Sequence, residues 1–248
     1  MANAMRDRTG RPIIVVTGMG VVSSLGTGKD DNWKNLTAGK SGIKQITRFP
    51  TEGLKTAIAG TVDELYAETG SAPVLSEKMA AIASEEAIAQ AGIGSKGNFP
   101  GPLFCAVPPI EAEWPQRRAV AADADPLKPV AYEDVLKFAG NGKFRSFHET
   151  FMFATVAEGL AERFGTKGMP ISLSTACASG ATSIQLAVEA IRRGECDAAL
   201  ATATDGSVHA EALIRFSLIS VRLGRFFSAG LWRVSRGVTR FLRISLFV

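Results

Sequence analysis

The chain has 248 residues, 46% hydrophobic and 21% charged, enough to bury a sizeable core and inconsistent with a disordered, collagenous or repeat-array protein. Its formal charge of +4 belongs to the C-terminal end: all 24 acidic residues lie at or before Glu211, while Arg215, Arg222, Arg225, Arg233, Arg236, Arg240 and Arg243 follow it. Residues 1–211 are therefore net acidic, so the basic balance says nothing of a nucleic-acid surface on the main body, and no nucleic-acid partner is expected.

Arg6, Arg8 and Arg11 precede an apolar run from Ile13 to Leu25 that faintly imitates a secretory signal, but Asp7 and the glycines within the run break the pattern. No segment approaches the roughly 20 strongly apolar residues of a membrane span. Cys105, Cys177 and Cys196 form no CxxC pair, and His148 and His209 lie at no metal-ligand spacing from them. A reduced, cytoplasmic setting without a bound cofactor or metal is the expectation.

Ile13–Val16 reads as a short buried strand that ends in Thr17-Gly18-Met19-Gly20. The Gly18-Met19-Gly20 triplet makes a weak dinucleotide fingerprint, since residue 23 is Ser and no acidic residue closes a βαβ unit; a tight turn accounts for it. A helix is predicted over 30–39, with Asp30 or Asp31 at its cap, and a second over 76–90, with Ser76 as N-cap and Gly92 past its end. Leu103–Val107 is the next strand, stopped by Pro108-Pro109. Residues 108–146, polar and rich in Pro, Asp and Lys, read as an insertion or lid with a short helix around 132–138.

A helix over 149–164 ends at Gly165, and a strand follows over 169–174. After a turn at Thr175-Ala176-Cys177 comes a helix to Arg193, with Ile184, Val188 and Ile191 as its apolar stripe, and then a strand over 196–204. Strands separated by helices imply a mostly parallel sheet covered on both faces.

Cys177 is the residue best placed for chemistry. A helix N-terminus presents unpaired N–H groups and partial positive charge, which favour thiolate over thiol and can hold an oxyanion. Ala176, Ala178, Ser179 and Gly180 leave room for a bulky group to approach the thiol. On residue usage alone, a cysteine in such a turn is more often a buried structural thiol.

Sequence resemblance decides otherwise. Ser174-Thr175-Ala176-Cys177-Ala178-Ser179-Gly180 resembles the nucleophile motif of β-ketoacyl-acyl carrier protein synthases. Three further stretches are similar to the same family: residues 16–26, residues 33–43 with Leu36, Gly39, Ser41, Gly42 and Ile43 in pattern, and residues 197–212. The resemblance implies a thiolase-like α/β fold of which this chain carries the N-terminal half, a mixed, mostly parallel five-stranded sheet with helices on both faces. It implies decarboxylative Claisen condensation in fatty-acid elongation, with Cys177 as acyl acceptor and its own N–H as an oxyanion donor. The implied partners are acyl carrier protein, whose phosphopantetheine carries the acyl and malonyl thioesters, and a second copy in a homodimer.

The family also uses two histidines and a lysine from a second half, and neither His148 nor His209 stands in a matching motif. Each is expected at the surface or at a helix end. The resemblance fades near Ile219-Ser220, so residues 1–220 are read as the synthase domain and 221–248 as an atypical Arg-rich tail from a shifted reading frame. Two other readings of the chain are an inactive carrier-protein-binding or scaffold remnant, and a partial enzyme that self-acylates without condensing. A basic amphipathic helix on a membrane surface is the rival reading of the tail, weakened by Gly224, Gly230 and Gly237.

Overall fold

The computed structural model describes residues 5–122 and 132–218; the predicted Arg-rich tail lies outside the described residues. The centre is a three-stranded parallel sheet in the order β6-β5-β7, formed by β5 (Leu103–Ala106), β6 (Ile171–Leu173) and β7 (Leu200–Ala203). β5 is buried along its whole length, as expected for a middle strand covered on both faces. Its side chains alternate: Leu103, Cys105 and Val107 join one core cluster, and Phe104 joins the other.

On the first face lie α3 (Ala72–Ala91) and α7 (Thr155–Phe164), contributing Ala80, Ala81, Val156, Ala157, Leu160 and Phe164. α8 (Ser179–Arg192) covers the second face. α8 turns Ser183, Ala187 and Ala190 to the sheet, and the predicted stripe of Ile184, Val188 and Ile191 is only half-buried. Small residues let the helix approach closely, so the buried face of α8 is not its bulkiest one.

Two short antiparallel pairs flank this unit. β1 (Val22–Ser23) pairs with β2 (Gly26–Thr27), followed by α1 (Lys29–Thr37). β3 (Ile43–Gln45) pairs with β4 (Ile58–Gly60), followed by α2 (Asp63–Thr69). The insertion carries more helix than predicted: α4 (Trp114–Ala122), α5 (Tyr132–Gly140), which includes the expected short helix, and α6 (Arg145–Thr150). The helix predicted over 149–164 is broken between α6 and α7.

The α/β class and the sheet covered on both faces agree with expectation, whereas three strands rather than five form the parallel sheet among the described residues. Ile13–Val16 is one reason: it joins no strand, and Val15 and Val16 are 65% and 71% exposed. Its continuation runs against α3 instead. Gly18 and Gly20 both have ordinary negative φ, so no tight turn requires them. A Cβ would lie 1.9 Å from the Ala87 carbonyl oxygen at Gly18 and 1.9 Å from that of Ala83 at Gly20. These glycines are there for close approach of chain to helix.

Side chains of α3 then hold the segment. Gln90 Oε1 accepts from the Met19 N–H at 2.9 Å, and Glu86 accepts from the Val21 N–H at 3.1 Å and the Lys29 N–H at 2.9 Å. Glu86 thereby supplies an acceptor at the start of α1, whose N-cap is Gly28 rather than Asp30 or Asp31. Burial pushes the Glu86 carboxyl up, but these N–H groups and the Lys29 ammonium outweigh it and leave the carboxyl below its ordinary range.

Helix starts depart further from expectation than helix ends. α3 begins four residues before the predicted N-cap, behind Ser71, and Ser76 lies buried inside it. Gly92 and Gly165 both take the left-handed conformation after their helices, as expected for Gly at this position.

Candidate active site

All three parallel strands deliver their carboxyl ends to one cavity of about 780 Å³. Ala106, Val107 and Pro108 follow from β5, Ser174, Ala176 and Cys177 from β6, and Ala203, Thr204 and Asp205 from β7. This end is where open α/β sheets bind ligands, because the strands' connections diverge there and leave a crevice. α3 adds Met79, Ala80 and Ala83, while Val22, Ser23 and Ser24 close one side from the β1–β2 hairpin. The wall is largely apolar, with Glu111, Asp205, His209 and Arg215 as its charged or titratable members beside Cys177.

Cys177 is exposed at the strand-to-helix turn expected for it. The residue before it, Ala176, has φ of 52°, and no other non-glycine residue among those described has positive φ. A backbone in this region costs an L-residue roughly 1 kcal/mol or more, so the surrounding bonds must hold it. Ser179 does so twice: its hydroxyl donates to the Ala176 carbonyl at 2.7 Å and accepts from the Thr175 N–H at 2.7 Å. The Ser179 and Ala178 N–H groups close back on the Ala176 and Thr175 carbonyls at 3.0 and 3.2 Å. Thr175 and Thr182 join their hydroxyls at 3.0 Å, tying the turn to the first turn of α8.

These bonds leave the Cys177 N–H without a protein partner among the described residues. An exposed thiol, its own unpaired N–H and a helix N-terminus therefore meet at the edge of one apolar cavity. That arrangement can bind an oxyanion beside a sulfur nucleophile. The other cysteines are placed differently: burial pushes the Cys105 thiol up to about 12, and burial followed by Glu195 and Asp197 raises Cys196.

His148 is exposed on α6, as expected. His209 meets its expectation as a helix-end residue, though not at the surface. It does stand at a helix start, where the Ala212 N–H donates to its Nδ1 at 3.3 Å, but it is buried at 8% exposure and lines the cavity with Cys177. Its burial depends on long-range contacts that no local pattern announces. Gly206, three residues earlier, sits so close to α3 that a Cβ would meet the Ala72 carbonyl oxygen at 2.7 Å, and its N–H donates to the buried Ser76 hydroxyl at 2.8 Å. The Thr204 hydroxyl donates to the Ser76 carbonyl at 2.8 Å, so Ser76, expected as an N-cap, instead ties the loop over 204–206 to α3.

Among the described residues, no three His, Cys, Asp or Glu side chains gather as a metal-ion cluster, and no helix is long and apolar enough to cross a membrane.

Comparison with known proteins finds β-ketoacyl synthases of both the fatty-acid and the polyketide kind. A 3-oxoacyl-[acyl-carrier-protein] synthase 2 of Coxiella burnetii is 30% identical over 197 residues, covering 77% of this chain and 45% of the relative. A chloroplastic 3-oxoacyl-[acyl-carrier-protein] synthase II of Arabidopsis thaliana is 31% identical over 206 residues, covering 79% of this chain and 36% of the relative. The chain thus spans less than half the length of these curated relatives. Among solved structures, a type II polyketide ketosynthase in complex with its acyl-carrier protein, bound to a hexaketide, superposes with a TM-score of 0.58 at 25% identity, covering 83% of this chain and 48% of that one. The ketosynthase neighbours share the thiolase-like fold. Residues 12–223 match the β-ketoacyl synthase N-terminal domain, and the chain belongs to that family.

Proposed function

We propose that Cys177 is the acyl acceptor of a carrier-protein-dependent condensing enzyme. The observation that carries this reading is the exposed thiol beside its own unpaired N–H, on a left-handed turn that opens into the apolar cavity. The Cys177 thiolate attacks the carbonyl carbon of an acyl-pantetheine thioester. A bond forms between Sγ and the acyl carbon, negative charge collects on the carbonyl oxygen near the Cys177 N–H, and the carbon–sulfur bond to pantetheine breaks. The carrier leaves as a thiolate that takes a proton from solvent. One thioester replaces another, so transfer needs little driving force.

In the whole enzyme, a malonyl-carrier thioester then loses carbon dioxide and its carbanion attacks the acyl-cysteine, returning the Cys177 thiolate. Acyl carrier protein is the delivering partner, and a homodimer is the assembly that the family resemblance implies. Val22, Val62, Met79, Ala83 and Val107 in the wall favour a hydrocarbon chain of the fatty-acid type over a polyoxygenated one.

The chain alone loads without extending. Of its two histidines, His148 is exposed on α6, and the Nδ1 of His209 is taken up at a helix start, by either the Ala212 N–H or Glu211. Incubation with octanoyl- and acetoacetyl-carrier thioesters, followed by malonyl-carrier, tests the reading. Faster loading of octanoyl and no two-carbon extension are expected. Preference for acetoacetyl overturns the fatty-acid reading, and extension overturns the loading-only one. Carrier binding with no loading of either thioester favours a scaffold.

A further inference from the structure

The acyl-transfer reading leaves His209 unused, yet its surroundings are built. Its Nδ1 has two neighbours at the start of the helix over 210–218: the Ala212 N–H at 3.3 Å and Glu211 Oε2 at 3.1 Å. One ring nitrogen cannot serve both. Unprotonated, it accepts from Ala212, as an Asn or Asp side chain does at an N-cap, and its lone pair faces the Glu211 carboxylate. Protonated, it donates to Glu211 and no longer accepts from Ala212.

Groups from other elements face the same cluster. Glu113, 3% exposed, comes from the segment before α4 and accepts from the Ala72 N–H at 2.6 Å. Burial pushes its carboxyl up, the Ala72 N–H, His209 and Arg48 pull it back, and Glu211 adds to the rise. Arg48, whose side chain is 3% exposed, donates through Nε to Asp63 at 2.9 Å and lies 4.2 Å over the Tyr66 ring. One terminal nitrogen of Arg48 and one carboxylate oxygen of Glu211 are buried with no partner among the described residues. Asp205 and the Glu111–Arg215 pair lie along the cavity wall nearby.

We propose that His209 and Glu211 form a proton-operated lock on the helix over 210–218. Neutral His209 holds the helix start through Ala212; a solvent proton taken up at Nδ1 turns that nitrogen to Glu211 and frees the start. The same helix carries Ala212, Arg215 and Phe216 into the cavity wall, so the lock sets the wall that shares the cavity with Cys177. His209 acts here as a positioning residue, and the lock operates whether or not Cys177 accepts an acyl group.

Hydrogen–deuterium exchange of the full chain at about pH 8 and about pH 5.5, corrected for intrinsic rates, tests this across the interval in which imidazoles titrate. Amides at the start of the helix should exchange about fivefold faster at the lower pH, the factor expected for a lost N-cap. His209→Asn keeps a capping oxygen but cannot titrate, so its exchange should be the same at both pH values after correction. Equal wild-type protection at both pH values, or the wild-type response in His209→Asn, overturns the lock. Nitrogen-15 NMR of the wild-type imidazole, assigned with His148→Gln, gives a second reading that needs no change at residue 209. Unprotonated Nδ1 at about pH 8 is expected, and an Nδ1–H tautomer there overturns the proposal.

Discussion

Gly20→Ala tests how the N-terminal segment is held. The added methyl would sit 1.9 Å from the Ala83 carbonyl oxygen, and α3 is fixed by its own packing, so the segment must withdraw to a contact of about 3.5 Å. That movement breaks the Val21 N–H bond to Glu86 and the Met19 N–H bond to Gln90. One bond to a charged acceptor and one to a neutral acceptor together contribute about 2–4 kcal/mol. For a domain of this size the loss lowers the melting temperature by about 5–15 °C. Thermal denaturation measures the shift, and hydrogen exchange at residues 19 and 21 locates it. Gly140→Ala is the control, because nothing lies within 4 Å of a Cβ there, and it should melt with the wild type or slightly above. If Gly20→Ala melts with the wild type and residues 19 and 21 keep their protection, the close-approach argument fails.

Two further outcomes follow from the same chemistry. The Glu86 carboxyl is held below its ordinary 4.5, so its stabilisation is present above that pH and is lost as pH falls through the lower folded value. Glu86→Gln should therefore be about 1–2 kcal/mol less stable than wild type at neutral pH, with the gap closing in acid; urea unfolding at the two pH values measures it, and a pH-independent gap contradicts the assignment. At residue 176, Gly accepts φ of 52° without strain and Val does not. Ala176→Gly should leave the melting temperature near wild type, while Ala176→Val should cost about 1 kcal/mol or more and loosen the turn that carries Cys177.

What could be read from the sequence was local. β5 at Leu103–Ala106 follows from an apolar run stopped by two prolines, and the ends of α3 and α7 follow from Gly92 and Gly165. The strand, turn and helix around Cys177 were legible because periodicity changes from one side of the turn to the other. The misreadings share a different cause. Ile13–Val16 has the composition of a strand, but a strand requires a neighbour, and the two glycines that follow commit the chain to α3 instead.

Ser76 and Glu86 act through partners more than 50 residues away, so neither leaves a signature in its own surroundings. His209 is buried because Gly206 brings its loop onto α3, a contact across 130 residues with no local pattern to announce it. The site was legible in its nucleophile and not in its walls, which come from six separate stretches of chain.

The central claim concerns one sulfur. Peptide mapping by mass spectrometry after incubation with octanoyl-carrier thioester places any acyl group among three cysteines, with buried Cys105 and half-buried Cys196 as internal controls. The account predicts octanoyl mass on the peptide containing Cys177, removed by hydroxylamine and absent from Cys177→Ser. An unmodified Cys177 in folded protein, or acylation at Cys196 in its place, would contradict it.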